Sequence, residues 1–318
     1  MPTGKTALSV IVIFYNMSRE AKRTLYTLSP AYQKGVGVDD YEVIAIDNNS
    51  KDPLNAEEVA AFGPNFQYHY YKTDSVSPVE AINFGADQAK GEYLSIIVDG
   101  ARMVTPGLVK TTIKALRKFP NPVVCSLAWH LGPDVQNLSM LDGYNQSVED
   151  DLLDSIDWRT NGYDLFTISA LAPSSRVSVR RGKMPHECSW LALPRDKFLN
   201  LGGFDARFVS PGGGLMNHDI LERIMAQPDV SPVLILSEGS FHQFHGGTAT
   251  NTRLDNHPKV KFQAEYESIH GHQYSRRGGP DPHYFGLIPA VARKFWSEKP
   301  PGRRIKRLSK WAAWLHLS

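Results

Sequence analysis

A chain of 318 residues can bury one large α/β core or two smaller ones. Apolar residues make up 42% and charged residues 21%, which excludes collagen-like, disordered and disulfide-stapled classes. The formal net charge of +2 selects no partner, and the two cysteines, Cys125 and Cys188, sit among apolar neighbours and read as buried thiols of a reducing compartment.

The run Ala7–Phe14 is short and β-branched and has no small-residue cleavage site after it, so it reads as a strand and not as a leader. No stretch of about 18 apolar residues occurs, so no membrane-spanning helix is expected. LSVIVIF (8–14) is continuously apolar, as a parallel strand buried on both faces would be. A helix should follow, capped by Ser18, with Ala21, Leu25 and Leu28 on one face. YEVIAID (41–47) and FQYHYYK (66–72) are the next strands. Ser77-Pro78-Val79-Glu80 carries a cap, a first-turn proline and a capping-box acid. YLSIIVD (93–99), a helix with Val109, Ile113 and Leu116, and the strand VVCSLAW (123–129) complete the alternation. Such alternation implies right-handed crossovers and a mostly parallel sheet flanked by helices.

Ligands of parallel sheets bind at the carboxyl ends of the strands. Polar clusters fall at three of those ends: Tyr15-Asn16, Asp47-Asn48-Asn49 and Asp99. Any one of them could be ordinary turn chemistry; three in succession point to a binding site. Neither GxGxxG nor GxxxxGK[ST] occurs at the right place, which removes the dinucleotide-binding and P-loop classes.

Five segments in order resemble the glycosyltransferases of family 2: SVIVIFYN (9–16), VIAIDNNSKD (43–52), AINFGADQAKGEYLSIIVDGARMVTPG (81–107), LPRDKFLNLGGFDARF (193–208) and PGGGLMNHDILER (211–223). The resemblance implies a GT-A fold over residues 1–285, a nucleotide-binding half (1–130) and an acceptor half (131–285). It implies transfer of a sugar from a UDP- or GDP-sugar to a glycan, lipid-linked or small-molecule hydroxyl, with inversion. The nucleotide-sugar site it implies comprises Phe14, Tyr15, Asn16, Asp47, Asn49, Asn83, Asp99, Gly100 and Ala101. In it Tyr15 would stack on the base and Asp47 would accept a base N–H.

The chain departs from that pattern in two places. Ala101 falls on the second Asp of Asp-x-Asp and offers no oxygen to a divalent ion (Mn2+ or Mg2+); Arg102 follows it. His245, or His242 beside it, could join Asp99 as a metal ligand. Alternatively, cations such as Arg176, Arg180, Arg181 and Lys183, in a stretch read as a mobile loop, could face the diphosphate instead. The catalytic carboxylate is also displaced. Alignment on Arg223 puts Met216-Asn217 on the family's Glu-Asp pair, whereas alignment on the glycines makes Asp219 the base; Glu187 is the reserve candidate. Missing acids leave a second reading open, a non-catalytic nucleotide-sugar-binding protein. Trp158, Tyr163 and Trp190 are candidate sugar platforms. Residues 286–318 form a basic, amphipathic tail that would either dock on the domain or touch a membrane surface from the cytoplasmic side.

Overall fold

The structure is a computed structural model that describes residues 6–187, 189–247, 250–253, 256–277 and 279–293. Its strands are β1 (Leu8–Phe14), β2 (Tyr41–Asp47), β3 (Phe66–Tyr70), β4 (Tyr93–Ile97), β5 (Arg102–Val104), β6 (Pro122–Leu131), β7 (Ser169–Leu171), β8 (Leu191–Pro194), β9 (Ser231–His242) and β10 (His283–Phe285). Its helices are α1 (Ser18–Leu28), α2 (Ala56–Ala60), α3 (Val79–Gln88), α4 (Leu108–Lys118), α5 (Gln136–Ser139), α6 (Gln146–Asp154), α7 (Pro173–Arg181), α8 (Arg195–Asn200), α9 (Met216–Met225) and α10 (Lys259–His270).

All described strands join one sheet in the order β10-β9-β6-β8-β4-β1-β2-β3, with β5 on β9 and β7 on β6. The pairs β1–β2, β1–β4, β2–β3, β6–β9 and β9–β10 are parallel. β8 is antiparallel to both β4 and β6, so it is the reversed strand between two parallel blocks. The expected mostly parallel sheet flanked by helices is therefore present.

Strand periodicity explains the unbroken apolar runs. Val10, Val12 and Phe14 of β1 enter one core layer, while Ile11 and Ile13 enter the other. Ala21, Leu25, Val109 and Ile113 bring α1 and α4 onto the first face; Ile82, Ala86, Ile220 and Ile224 bring α3 and α9 onto the second. Each such branched side chain contributes about 1.5–3 kcal/mol on burial.

Several local expectations were overridden by tertiary contacts. Ser18 starts α1 instead of capping it. Ser77 donates its hydroxyl to the Phe208 carbonyl (2.7 Å), and Glu80 accepts from Thr73 (3.0 Å), so neither forms the capping box. Residues 173–181, read as a mobile loop, are helix α7, begun by Pro173 and ended by Gly182 at φ +64°. Trp158 and Trp190 are 2% and 0% exposed and serve the core; the indole N–H of Trp190 donates to Thr112 (2.9 Å). Tyr163 donates to Glu238 (3.1 Å), stacks on Phe166 against the core, and does not border the cavity described below. Cys125 is a buried thiol, pushed up to about 12 by burial. Cys188 and the tail from 294 onward lie outside the described residues. Among those described, no helix is long and apolar enough to cross a membrane.

Candidate active site

The sheet brings polar residues to one edge by direction alone. β1, β2, β4, β6 and β9 run the same way, so Tyr15, Asn48, Asp99, His130 and His242 all arise at or near their carboxyl ends. β8 runs oppositely, so the segment before it, with Glu187, reaches the same edge. Tyr15, Asn48, Asp99, His130 and Glu187 border an open cavity of about 460 Å³, within the usual range for a small-molecule site, and His242 lies buried beneath it.

Its floor is a cluster of one carboxylate and two imidazoles. Asp99 Oδ2 lies 2.8 Å from His242 Nε2 and 3.3 Å from His245 Nε2, and the two imidazole nitrogens are 3.3 Å apart. The tautomer of His242 is set from behind. Gln136 donates its amide N–H to the His242 carbonyl (2.9 Å), while its Oε1 accepts from Asn251 (2.9 Å). That Oε1 is 2.7 Å from His242 Nδ1, which must therefore carry hydrogen. Burial pushes His242 down to about 4, against the charge and the hydrogen bond of Asp99, which favour the protonated ring. Burial favours protonation of Asp99, but the charges of His245 and His242 outweigh it and hold the carboxyl well below its usual range. Asp99 in turn raises His245 despite burial. Donor atoms about 3 Å apart match the span between neighbouring ligands of an ion with bonds of about 2.0–2.2 Å. The set fits a divalent first-row ion, with Gln136 as the partner that orients one ligand.

Gly100 and Ala101 shape this floor without meeting the cavity. A Cβ on Gly100 would lie 2.4 Å from the Phe14 ring, so only glycine lets the turn cross β1. The Ala101 N–H donates to Asp99 Oδ1 (3.1 Å), while its methyl is buried in the core.

The remaining residues expected at the nucleotide divide into two groups. Tyr15, 42% exposed, and Asn16 border the cavity. Phe14 is fully buried in the core and presents no surface to it. Asp47 corrects the expectation of a base contact: it is 1% exposed, and its two oxygens accept the N–H groups of Ser50 (2.8 Å) and Leu54 (3.1 Å), closing the turn after β2. Asn49 is held by Thr73 (2.6 Å) and Tyr70 (2.7 Å). Asn83 clamps the backbone of Phe204 through both amide atoms (2.8 and 3.0 Å), tying α3 to the acceptor half. These three are structural in their contacts.

The two candidate acids are also separated. Asp219 does not face the cavity: its Oδ2 accepts from Arg223 (2.8 Å) and its Oδ1 is 3.1 Å from His270. Arg223 further donates to the carbonyls of Leu201 and Gly203 (both 2.8 Å). The i,i+4 geometry of α9 aims Asp219 inward at this lock, while Asn217 and His218 of the same turn border the cavity. Glu187 does border it. Burial raises the Glu187 carboxyl, partly offset by the charge of Arg102. None of Arg176, Arg180, Arg181 and Lys183 borders the cavity: Arg176 reaches the Leu171 carbonyl (3.2 Å), and Lys183 pairs with Asp281.

The sequence placed Asn48 in a strand-end polar cluster without giving it a contact, and gave no role to Arg102, His130 and Gln136. Asn48 is 2% exposed at the cavity wall, and its Oδ1 has no partner among the described residues. Arg102 stands opposite His242 in the β5–β9 ladder, and His130 stands beside it in the β6–β9 ladder. Only a charged residue inside an otherwise apolar strand could have signalled Arg102; strand register was needed for the rest.

A mostly parallel sheet with β8 reversed inside it, and a polar cavity at its carboxyl edge, are the build of a GT-A glycosyltransferase. The sequence matches glycosyl transferase family 2 over residues 9–225, more than half of its length, and the chain belongs to that family. No curated protein matches it. Among solved structures, it is similar to TarS of S. aureus (TM-score 0.50, 14% identity, 76% of this chain and 37% of that one). It is also similar to TarS 1–349 in complex with UDP-GlcNAc (0.49, 13%, 82% and 67%) and in complex with UDP (0.47, 16%, 72% and 58%). The chain thus spans little more than half the length of the UDP complex, and at these identities the likeness is one of fold.

Proposed function

We propose that this glycosyltransferase moves a sugar from a nucleoside-diphosphate sugar to an acceptor hydroxyl by a single inverting displacement. The observation that carries the reading is the convergence of Asp99, His242 and His245 on the floor of a cavity that also holds Glu187. The donor base is assigned to the wall formed by Tyr15 and Asn48, an exposed aromatic face beside a buried, unpartnered amide oxygen. Asp99, His242 and His245 would hold a divalent ion, and two imidazoles favour Mn2+ over Mg2+. Such an ion, when bound, would neutralise charge on the leaving diphosphate. Glu187 is the assigned general base. It takes the acceptor hydroxyl proton as the acceptor oxygen bonds to the anomeric carbon, and the bond from that carbon to the diphosphate oxygen breaks. A carboxyl raised by burial suits a base working near neutral pH.

Transfer and hydrolysis of UDP- and GDP-sugars, measured with Mn2+ and after chelation, test this. Turnover that needs Mn2+ and is lost in Asp99→Asn and His245→Ala is expected. Tight donor binding with no turnover under any metal would leave only the non-catalytic binding reading.

A further inference from the structure

Arg102 borders the cavity beside the three-residue cluster, and the reaction above does not use it. It is 7% exposed, and its Nε and Nη1 have no hydrogen-bond partner among the described residues. Guanidinium does not lose its proton in a protein, so the charge cannot be relieved by titration. A buried cation without a counter-group is costly unless a ligand supplies one. Asp99 does not do so, because its contacts are His242, His245 and the Ala101 N–H, and Glu187, although it feels the charge, makes no ion pair with Arg102 among the described residues.

The position of Arg102 indicates what would. It faces His242 across the β5–β9 ladder, which sets it beside the three-residue cluster. Arg102 and Glu187 border the same cavity, and the charge of Arg102 acts on Glu187 as well as on His242 and His245. The cluster marks the diphosphate end of the donor, and Glu187 marks the side from which the acceptor attacks. The stretch between them belongs to the sugar being transferred. The planar fork of a guanidinium matches a carboxylate with two parallel hydrogen bonds, a fit that a neutral hydroxyl does not offer.

We propose that Arg102 binds a carboxylate on the transferred sugar, so that the donor is an acidic nucleotide sugar of the uronic-acid type. This rests on the reading of the cavity as a donor site and narrows its substrate class.

The test uses the full chain with Mn2+ and matched donors: UDP-glucose against UDP-glucuronate, UDP-galactose against UDP-galacturonate, and GDP-mannose against GDP-mannuronate. Calorimetric affinities are compared for wild type, Arg102→Gln and Arg102→Lys. For at least one pair, wild type should bind the acidic member about tenfold or more tightly than the neutral one, the strength of a charge-assisted contact. Arg102→Gln should erase that preference while leaving UDP or GDP affinity within about threefold, and Arg102→Lys should retain part of it. Thermal denaturation checks that the Gln variant is folded; losing an unpaired buried charge should not lower its stability. Equal wild-type affinity for acidic and neutral members of every pair would overturn the proposal. So would a parallel loss of UDP or GDP binding in Arg102→Gln, which would assign the guanidinium to the diphosphate. Failure of every nucleotide sugar and nucleoside diphosphate to bind would overturn the donor-site reading itself, and this proposal with it.

Discussion

A carboxylate recessed in a cavity wall is harder to ionise than one in water, and at Glu187 burial raises the pKa. A base must be ionised to act, so the acid limb of the kcat profile should lie above the ordinary glutamate value of about 4.3. Glu187→Gln should lower kcat by about 10²–10⁴ and leave donor affinity unchanged. The same shift has a stability consequence. An acid whose folded pKa is raised favours the fold below its unfolded pKa, and that contribution fades as pH rises through the folded value. Glu187→Gln should therefore raise Tm at pH 8 relative to wild type, and show less gain at pH 5. Asp219 has a different part. Its hydrogen bond to Arg223, with His270 Nε2 3.1 Å away, makes it a lock on the acceptor half. Asp219→Asn should cost about 1–3 kcal/mol in urea denaturation, with the kcat of the surviving folded enzyme retained. Loss of kcat without loss of stability would restore Asp219 as the base.

Among elements, the β6–β9 ladder and helix α5 do the positioning. The ladder sets His130 beside His242, and α5 presents Gln136 behind the His242 ring. Gln136→Leu would remove the acceptor of the Nδ1–H and free the ring to change tautomer. By the usual effect of such supporting partners, Mn2+ affinity should fall about 10–100-fold, measurable by titration of the metal alone. Unchanged Mn2+ affinity would show that the cluster does not depend on this support. Residues such as Asp99 and Tyr15 were legible because they follow apolar runs that end abruptly. His242 and Gln136 are 106 positions apart, and no local pattern links them.

The whole molecule depends on strands contributed out of order. β8, from the later half, lies between β4 and β6, and β6 lies between β8 and β9. Residues 1–130 alone would leave β4 and β6 with unpaired edges and strip the second core face of the side chains that α9 supplies. Expressed by itself, this fragment should aggregate or remain unfolded by far-UV circular dichroism. A soluble, cooperatively folding fragment would show that the nucleotide-binding half is autonomous.

From the order of apolar runs, caps and breakers, the amino-acid sequence by itself determined a mostly parallel sheet and the strand ends at which a ligand would lie. Those features are local, because they depend on spacing along one strand or helix turn. Tertiary structure decided which of the polar residues at those ends are free. Asp47 and Asn49 spend their hydrogen bonds on turns, Asp219 on an arginine, and Asn83 on a neighbouring backbone. Hydrogen-bonding capacity is finite, and the partners that consume it arrive from distant segments; only the folded chain shows that Asp99, Arg102, Glu187 and His245 are left facing one cavity.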